Sequence, residues 1–581
     1  MIEKIQSNLV RILEDLYGDS HLNIDELKIN LQENNDKKHG DLASNIALIL
    51  AKPLKKNPQE IANSIKDSFI TDEEITKIEV AGPGFINFFL STKTHSEVLN
   101  EISAKKELFG KSETKNQNVL IEYVSSNPTG PLHVGHGRGA AFGSVLGALL
   151  KEAGFKVDEE YYVNDFGRQM NILAASLWLR YAQLLNESIT MIENGYQGEY
   201  LISIAEKLKE DHSDKFYRNY DSIVELLKTE IQDDEIFTDS VVVAIQSALE
   251  NDFNFLRDFA LQAILELIKR DLLDFGVEHN FWFSESSLYD IKENKINQVD
   301  LAIEDLKSRG FVYEKEDALW FKSSEFGDDK DRVLKRGNGE YTYFASDVAY
   351  HSKKYDRGYD RVINIWGSDH HGYTPRVKAA MEATNRDPEK LEIVYIQFAN
   401  LLRAGKKVTM STRSGEFITL RELMDEVTTE AARFFYINRK ADQHLDFDLD
   451  LAKDQSKDNP LYYIQYAHAR ICSVLKKSNA KIMDLERADL TLLDTEKEIE
   501  IQKTLNQYPT LIERAAKSSE PHLLCYYLKD LSGLFHSYYN SEKFIIEDKK
   551  LMASRLFLLK GVKQVLVNGL SILGIKAPEE M

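Results

Sequence analysis

Residues Asn118 to Asp165 read NVLIEYVSSNPTGPLHVGHGRGAAFGSVLGALLKEAGFKVDEEYYVND, and the order of side chains in this stretch decides the fold. Val119 to Val124 form a mainly apolar run of strand length, which suits a strand covered on both faces. A loop rich in Gly and Pro follows, then a helix of small residues from about Gly137, then a second strand ending at Tyr161-Tyr162-Val163. Strand, helix and strand in that order make a βαβ unit and imply a parallel sheet. Strand-like runs return at VINIWG (Val362 to Gly367) and LEIVYIQF (Leu391 to Phe398), while residues 170–310 are mainly helical in periodicity. The expected centre is an α/β domain over residues 106–455, interrupted by a helical insertion.

Outward from that centre the pattern changes at both ends. Residues 1–105 mix helices with short strands, with Val80 to Ala81 and Phe85 to Leu90 set around a Gly-Pro-Gly turn, so a small α+β domain is expected. Beyond Pro460 no strand pattern occurs and helical spacing of Leu, Ile, Tyr and Ala persists, which predicts an all-α bundle over 456–581, independent of the sheet.

A chain of 581 residues exceeds what one core usually serves, so several domains are expected. No run of about 18 uncharged apolar residues occurs, and the first helix pattern (MIEKIQSNLVRILEDLYGD) lacks an apolar signal core. The reading is a cytoplasmic protein with no membrane partner. Two cysteines, Cys472 and Cys525, are too few for a disulfide framework or a four-cysteine zinc site and read as buried thiols. The net charge of −21 argues against broad nucleic-acid binding, and no DNA partner is expected. The acid is unevenly spread, since residues 461–581 carry 17 Lys plus Arg against 15 Asp plus Glu.

The sharpest local signal is Pro131-Leu132-His133-Val134-Gly135-His136, where a strand hands over to a helix. A helix amino terminus offers unpaired N–H groups to phosphate, His133 and His136 share a helical face, and Gly135 lets a flat base approach the backbone. Alone, such a pair is more often a surface or capping feature.

The loop resembles the HIGH signature of class I aminoacyl-tRNA synthetases, and SSNPTGPLHVGHGRGAAFG resembles the arginyl enzymes in particular. YYVNDFGRQ (Tyr161 to Gln169), GYQGEY (Gly195 to Tyr200), TYFASDVAYH (Thr342 to His351) and WGSDHHGYTPR (Trp366 to Arg376) match that family in order. So do MSTRSG (Met410 to Gly415), DFDLDLA (Asp446 to Ala452) and NPLYYIQYAHARI (Asn459 to Ile471). Nucleotidylyltransferases share the histidine motif but need no helical carboxyl domain. Cysteinyl enzymes bring zinc cysteines, and glutamyl and glutaminyl enzymes need a basic pocket.

The resemblance implies a Rossmann-like class I synthetase catalytic domain, an amino-terminal domain that meets the tRNA D-loop and an anticodon-binding carboxyl bundle. It implies arginine, ATP and arginine tRNA as substrates, Mg²⁺ as the phosphate counterion, no protein-held metal, and a monomer. His133 and His136 would stabilise charge on the triphosphate, Gly135 would lie on the adenine, and Gly367, Asp369 and His370 would help hold adenosine. A metal site at Asp369-His370-His371 is set aside because neighbouring side chains on a strand point to opposite faces. The KMSKS-like segment reads Thr409-Met410-Ser411-Thr412-Arg413 and lacks its second lysine. Met410, Ser411 and Arg413 are its remaining candidates, with Lys406 or Lys407 as alternative cations, since Gly130 occupies the place where some relatives carry a lysine.

A guanidinium has five donors and a permanent charge, so its pocket needs a carboxylate. Matching the family pattern makes Asp347 with Tyr343, four apart on one helical face, the guanidinium clamp. Spacing alone would leave Asp347 a helix-surface acid. Glu122 and Asn127 fall where the α-amino and carboxylate region is held. For tRNA, Phe85 and Asn87 occupy the D-loop positions, with plain core the alternative for Phe85, and Gly82 departs from the asparagine of some relatives. Tyr462, Tyr463 and Tyr466 resemble the helix opening the anticodon bundle, although tyrosines at helical spacing are more often core than base contacts.

Overall fold

The computed structural model describes every residue except 1, 19–26, 28, 35–36, 187, 226–230, 232, 292–295, 409–417, 479–484 and 486. At the amino end the strands Leu31–Glu33, Leu42–Ser44, Phe85–Leu90 and Ile75–Ala81 form an antiparallel sheet in that spatial order. Helices Ile2–Tyr17, Ile46–Leu54 and Pro58–Ser68 bury Ile5, Leu9, Ile46, Ile61 and Ile65 with Phe88 of the sheet, closing a core of their own. The next helix, Thr92–Lys105, belongs elsewhere: Val98, Leu99 and Ile102 lie in the large core that runs through the rest of the chain.

That rest is built on five parallel strands, β1 (Asn118–Glu122), β2 (Lys156–Val163), β3 (Phe281–Ser284), β4 (Arg361–Gly367) and β5 (Leu391–Ile396). Their spatial order is β5-β4-β1-β2-β3. Helix α1 (Val134–Glu152) connects β1 to β2 and buries Ala140, Ala141, Val145, Leu146 and Leu149. Connections leave the sheet in opposite directions on either side of the β1–β4 pair. In an open parallel sheet this reversal opens a crevice beyond the strands' carboxyl ends, where ligands bind. Helix α2 (Arg168–Gln183) starts the helical insertion, and α3 (Tyr343–Asp356) precedes β4.

Two features differ from the sequence reading. β3 lies inside the stretch read as helical, because FWFS is too short to establish a period of its own. Strand β4 ends at Gly367, and Ser368–Tyr373 form a 3₁₀ turn, so strand alternation does not govern Asp369, His370 and His371.

The carboxyl end is helical throughout its described residues: α4 (Pro460–Ser478), α5 (Glu496–Lys517), α6 (His522–Ser541) and α7 (Lys549–Ile572), with a 3₁₀ turn at Leu490–Leu492. It is not independent of the sheet domain. Tyr508 and Ile512 of α5 and Leu566 and Leu570 of α7 share one continuous core with Leu146 and Leu150 of α1. Phe109 stacks on Tyr508 at 5.9 Å. A helical apolar stripe read from sequence does not say which domain will cover it, and here two domains cover the same stripes. Cys525 is buried and Cys472 partly so, both as free thiols.

Candidate active site

At the mouth of the β1–β4 crevice His133 is the N-cap of α1. Its Nδ1 accepts the Gly135 N–H at 3.0 Å, while Nδ1 of His136 accepts the His133 N–H at 3.3 Å. This is a capping box made by two imidazoles, whose rings lie 3.7 Å apart. An imidazole accepting through Nδ1 while neutral carries its proton on Nε2. Burial lowers the pKa of both, that of His136 to about 3 with the neighbouring His133 as the second cause. At neutral pH the pair therefore offers Nε2–H donors beside a helix amino terminus, not two positive charges.

Gly135 has a reason other than an approaching base, since a Cβ there would stand 2.7 Å from Cε1 of the His133 ring folded over it. The same position would lie 3.9 Å from Phe398, and a Cβ on Gly367 would lie 3.8 Å from that ring. Phe398, 55% exposed, thus stands between the two glycines, a residue that sequence reading had passed over as a strand end. Asp369 and His370 are exposed, with Oδ2 and Nε2 3.7 Å apart. His371 stacks on Tyr395 at 3.6 Å.

Met410, Ser411 and Arg413 lie outside the described residues. The chain on either side is anchored near the histidines: Val408 N–H bonds the Leu401 carbonyl at 2.9 Å, and Val134 and Leu420 N–H bond the Ile418 and Leu132 carbonyls at 3.1 and 2.8 Å. Lys406 and Lys407 are exposed on a short strand paired with Ala399–Arg403. Gly130 faces Tyr200, whose ring a Cβ would meet at 3.1 Å and whose hydroxyl donates to the Thr129 carbonyl at 2.6 Å. The GYQGEY segment therefore braces the loop leading to His133.

Beyond β1 the backbone is strained, with φ of 69° at Val124 and 42° at Ser125, a region costly for a β-branched residue. Ser125 Oγ donates to Glu122 at 3.0 Å and accepts the Tyr162 N–H at 3.1 Å, and Ser126 bonds the Tyr161 hydroxyl at 2.7 Å. Asn127 is exposed at the head of this loop. Glu122 is buried and bonded to the fully buried Lys354 of α3.

Asp347 stands on α3 and receives the Tyr373 hydroxyl. Tyr343, one turn earlier, is 74% exposed, so the hydroxyl on Asp347 comes from the 3₁₀ turn and not from its own helix. Glu285, 5% exposed just past β3, is a second acid that sequence reading missed. Asp165 fixes its turn by accepting Ser284 Oγ at 2.6 Å and the Ser286 N–H at 2.8 Å. Burial pushes Asp347 up to about 7, helped by the charge of Glu122 and opposed by the Tyr373 bond. Burial, then the charges of Asp347 and Asp165, push Glu285 up to about 7. Two acids held this high mark a pocket that needs a cation. Among the described residues no group of three or more His, Cys, Asp or Glu is placed to hold a metal ion.

Of the RNA candidates, Phe85 is 38% exposed whereas Asn87, on the same sheet face, is 3% exposed between Ala43 and Glu79. Tyr462, Tyr463 and Tyr466 are partly exposed on α4. Tyr462 stacks on Tyr466 at 6.0 Å, Arg470 lies 4.4 Å above Tyr466, and Tyr463 lies 4.5 Å from His536.

Three family models match the chain: "Arginyl tRNA synthetase N terminal domain" over residues 3–90, "tRNA synthetases class I (R), catalytic domain" over 97–446 and "DALR anticodon binding domain" over 464–581. An arginine–tRNA ligase of Legionella pneumophila is 49% identical, covering 99% of each chain. One of Coxiella burnetii is 50% identical over 95% of each. The solved Thermus thermophilus arginyl-tRNA synthetase shares the fold, with a TM-score of 0.73 over the whole of both chains at 21% identity. From its amino-terminal sheet through the βαβ crevice to the carboxyl bundle, this chain belongs to the arginyl-tRNA synthetases of class I.

Proposed function

We propose that this chain activates arginine with ATP and passes the arginyl group to the 3′-terminal adenosine of arginine tRNA. An oxygen of the arginine carboxylate attacks the α-phosphorus and pyrophosphate leaves; a ribose hydroxyl of the tRNA then attacks the adenylate carbonyl and AMP leaves. The observation that carries the arginine assignment is the placing of two acids together, Asp347 on α3 and the buried Glu285 in the turn after β3, each raised by burial. Together they match a guanidinium that cannot give up its charge. Glu122 and Asn127 take the α-amino end, and Tyr343 covers the mouth.

His133 and His136 donate Nε2–H bonds to the triphosphate, while Gly135, Gly367, Asp369, His370 and Phe398 surround the adenosine. Met410, Ser411 and Arg413, or Lys406 and Lys407, meet the leaving pyrophosphate. Magnesium arrives with the triphosphate as its counterion. Phe85 and Asn87 meet the D-loop, and Tyr463 and Tyr466 meet the anticodon. We place the protein in the cytoplasm as a monomer acting on RNA, not DNA. No described helix is long and apolar enough to cross a membrane. Offering total tRNA with each amino acid in turn tests the reading: only arginine should be esterified, and equal charging with lysine or glutamine would refute it.

The elevated acids predict a pH dependence. Only the ionised carboxylates attract the guanidinium, so arginine KM should fall about tenfold or more from pH 6 to pH 8, each group of pKa near 7 being about one-tenth ionised at pH 6. Stability of the free enzyme should move the other way. Folded values above the unfolded ones near 4 mean that the native state holds the extra protons, so stability falls as pH rises from about 4 to about 7. Thermal melts across this range, with and without arginine, check both signs; a flat KM from pH 6 to 8 removes the assignment.

A further inference from the structure

The small amino-terminal domain closes a core of its own, so its angle to the rest of the chain is set by what joins it there. The covalent joint is short. Strand Phe85–Leu90 ends one residue before helix Thr92–Lys105, with Ser91 as the N-cap between them. That helix is fixed in the large core through Val98, Leu99 and Ile102, and its Ser96 Oγ donates to Gln502 Oε1 of α5 at 3.0 Å. Ser91 is therefore a hinge, and one side chain spans it. The Asp41 N–H donates to the Phe88 carbonyl at 2.8 Å and the Asp41 carboxylate accepts the Leu90 N–H at 2.7 Å, which binds Asp41 to the strand that carries Phe85. The same carboxylate lies 3.5 Å from Nε2 of His95, in the first turn of the helix, and pairs with Lys503 of α5. Burial acts to raise the Asp41 pKa, but the bonds from His95, Lys503 and the Leu90 N–H hold it well below the usual carboxylate range.

With side chains 15% and 28% exposed, Asp41 and Lys503 are largely withdrawn from water. Such a pair adds little net stability, because desolvation offsets much of the attraction, but its bonds are directional and fix one arrangement where an apolar contact could slide. The leverage is large. Strand Phe85–Leu90 is about 17 Å long, so a swing of about 10° at its Leu90 end would move Phe85 by about 3 Å, the length of a whole contact. We propose that Asp41 and Lys503 are positioning residues for tRNA: they pin the amino-terminal domain to the carboxyl bundle at a fixed angle, so that Phe85 meets the D-loop while α4 meets the anticodon of the same molecule. This rests on the reading of Phe85 as a D-loop contact and of the carboxyl helices as the anticodon domain. It adds that D-loop recognition depends on a lysine of the other domain that no base touches.

Lys503→Met, Lys503→Gln, Phe85→Ala and Phe85→Ala/Lys503→Met are compared with the parent in charging of arginine tRNA, with circular dichroism melts to confirm folding. Loss of the pin should raise tRNA KM by about 2- to 30-fold, the range for changes that loosen the coupling between two sites. The kcat at saturating tRNA and the KM values of arginine and ATP should stay within about twofold of the parent. In the Phe85→Ala background, removing Lys503 should add less than about twofold, because the pin then has no contact left to aim. The dependence of tRNA KM on salt should keep the parent's slope, since no phosphate contact is lost.

A folded Lys503→Met enzyme with the parent's tRNA KM would show an ion pair between domains and nothing more. Full additivity with Phe85→Ala, or a salt slope lower by about one, would make Lys503 a direct phosphate contact and overturn the positioning role. So would failure of both single Lys503 variants to fold. If Phe85→Ala alone leaves tRNA KM unchanged, the D-loop reading fails and the pin with it. If Phe85→Ala raises tRNA KM while the Lys503 variants do not, the pin alone fails.

Discussion

Replacing Asp347 by asparagine should lower kcat/KM for arginine by about 10²–10³-fold while leaving ATP KM within about threefold. The substitution keeps shape but removes the charge that a desolvated guanidinium must face, a loss of about 3–5 kcal/mol when one partner of a buried pair is removed. Tyr373 can still donate to the remaining amide oxygen, so the pocket wall should hold its form. The histidine capping box lies on a separate element, which is why ATP binding should be spared. The same change should raise the melting temperature of the free enzyme above pH 7. There the parent's carboxylate is ionised against the burial and the Glu122 charge that push it up. Lower activity together with higher stability is the behaviour of a group kept for ligand binding. Steady-state charging and thermal melts of both proteins decide it. A folded variant that charges arginine within about threefold of the parent would make Asp347 an ordinary surface acid.

How far the sequence spoke for this site depends on the kind of signal. The β1-α1-β2 unit was legible because an apolar run, a glycine-rich turn and a small-residue helix each carry their own period. Glu285 was not: WFSESSLY has no regular spacing, and only the fold of β3 beside β2 brings it to Asp347. The partner of Asp347 shows the same limit. Helical spacing pointed to Tyr343 because i and i+4 side chains are neighbours, but the hydroxyl came from Tyr373, twenty-six residues away on a 3₁₀ turn. Phe398 was hidden at the end of an apolar run whose last residues leave the sheet, since β5 stops at Ile396. Local spacing identified elements and some side chains; pairs that meet only through the sheet's strand order had no local trace.

Deleting residues 456–581 should abolish charging and also leave no soluble catalytic domain. Read as an independent bundle, this segment would be separable, yet its helices complete the core of the sheet domain. Without it Phe109 loses the ring of Tyr508, and α1 loses the α5 and α7 helices that pack against it. Arg433, buried in the catalytic part, donates to the Leu573 carbonyl at 2.8 Å as well as to the Phe275 carbonyl at 2.9 Å. Truncation would take away the first of these acceptors. Exposed leucines alone cost about 1.5–3 kcal/mol each when a buried side chain returns to water, so a few of them exceed the whole stability of a typical domain. The contrast is the amino-terminal domain, whose core of Ile5, Ile46, Ile61 and Phe88 closes on itself, so removing residues 1–90 should leave a folded, melting remainder. Expression of both truncations, with solubility and circular dichroism melts as readouts, separates the cases. A soluble 1–455 fragment with a cooperative melt would mean that the catalytic core closes without the bundle.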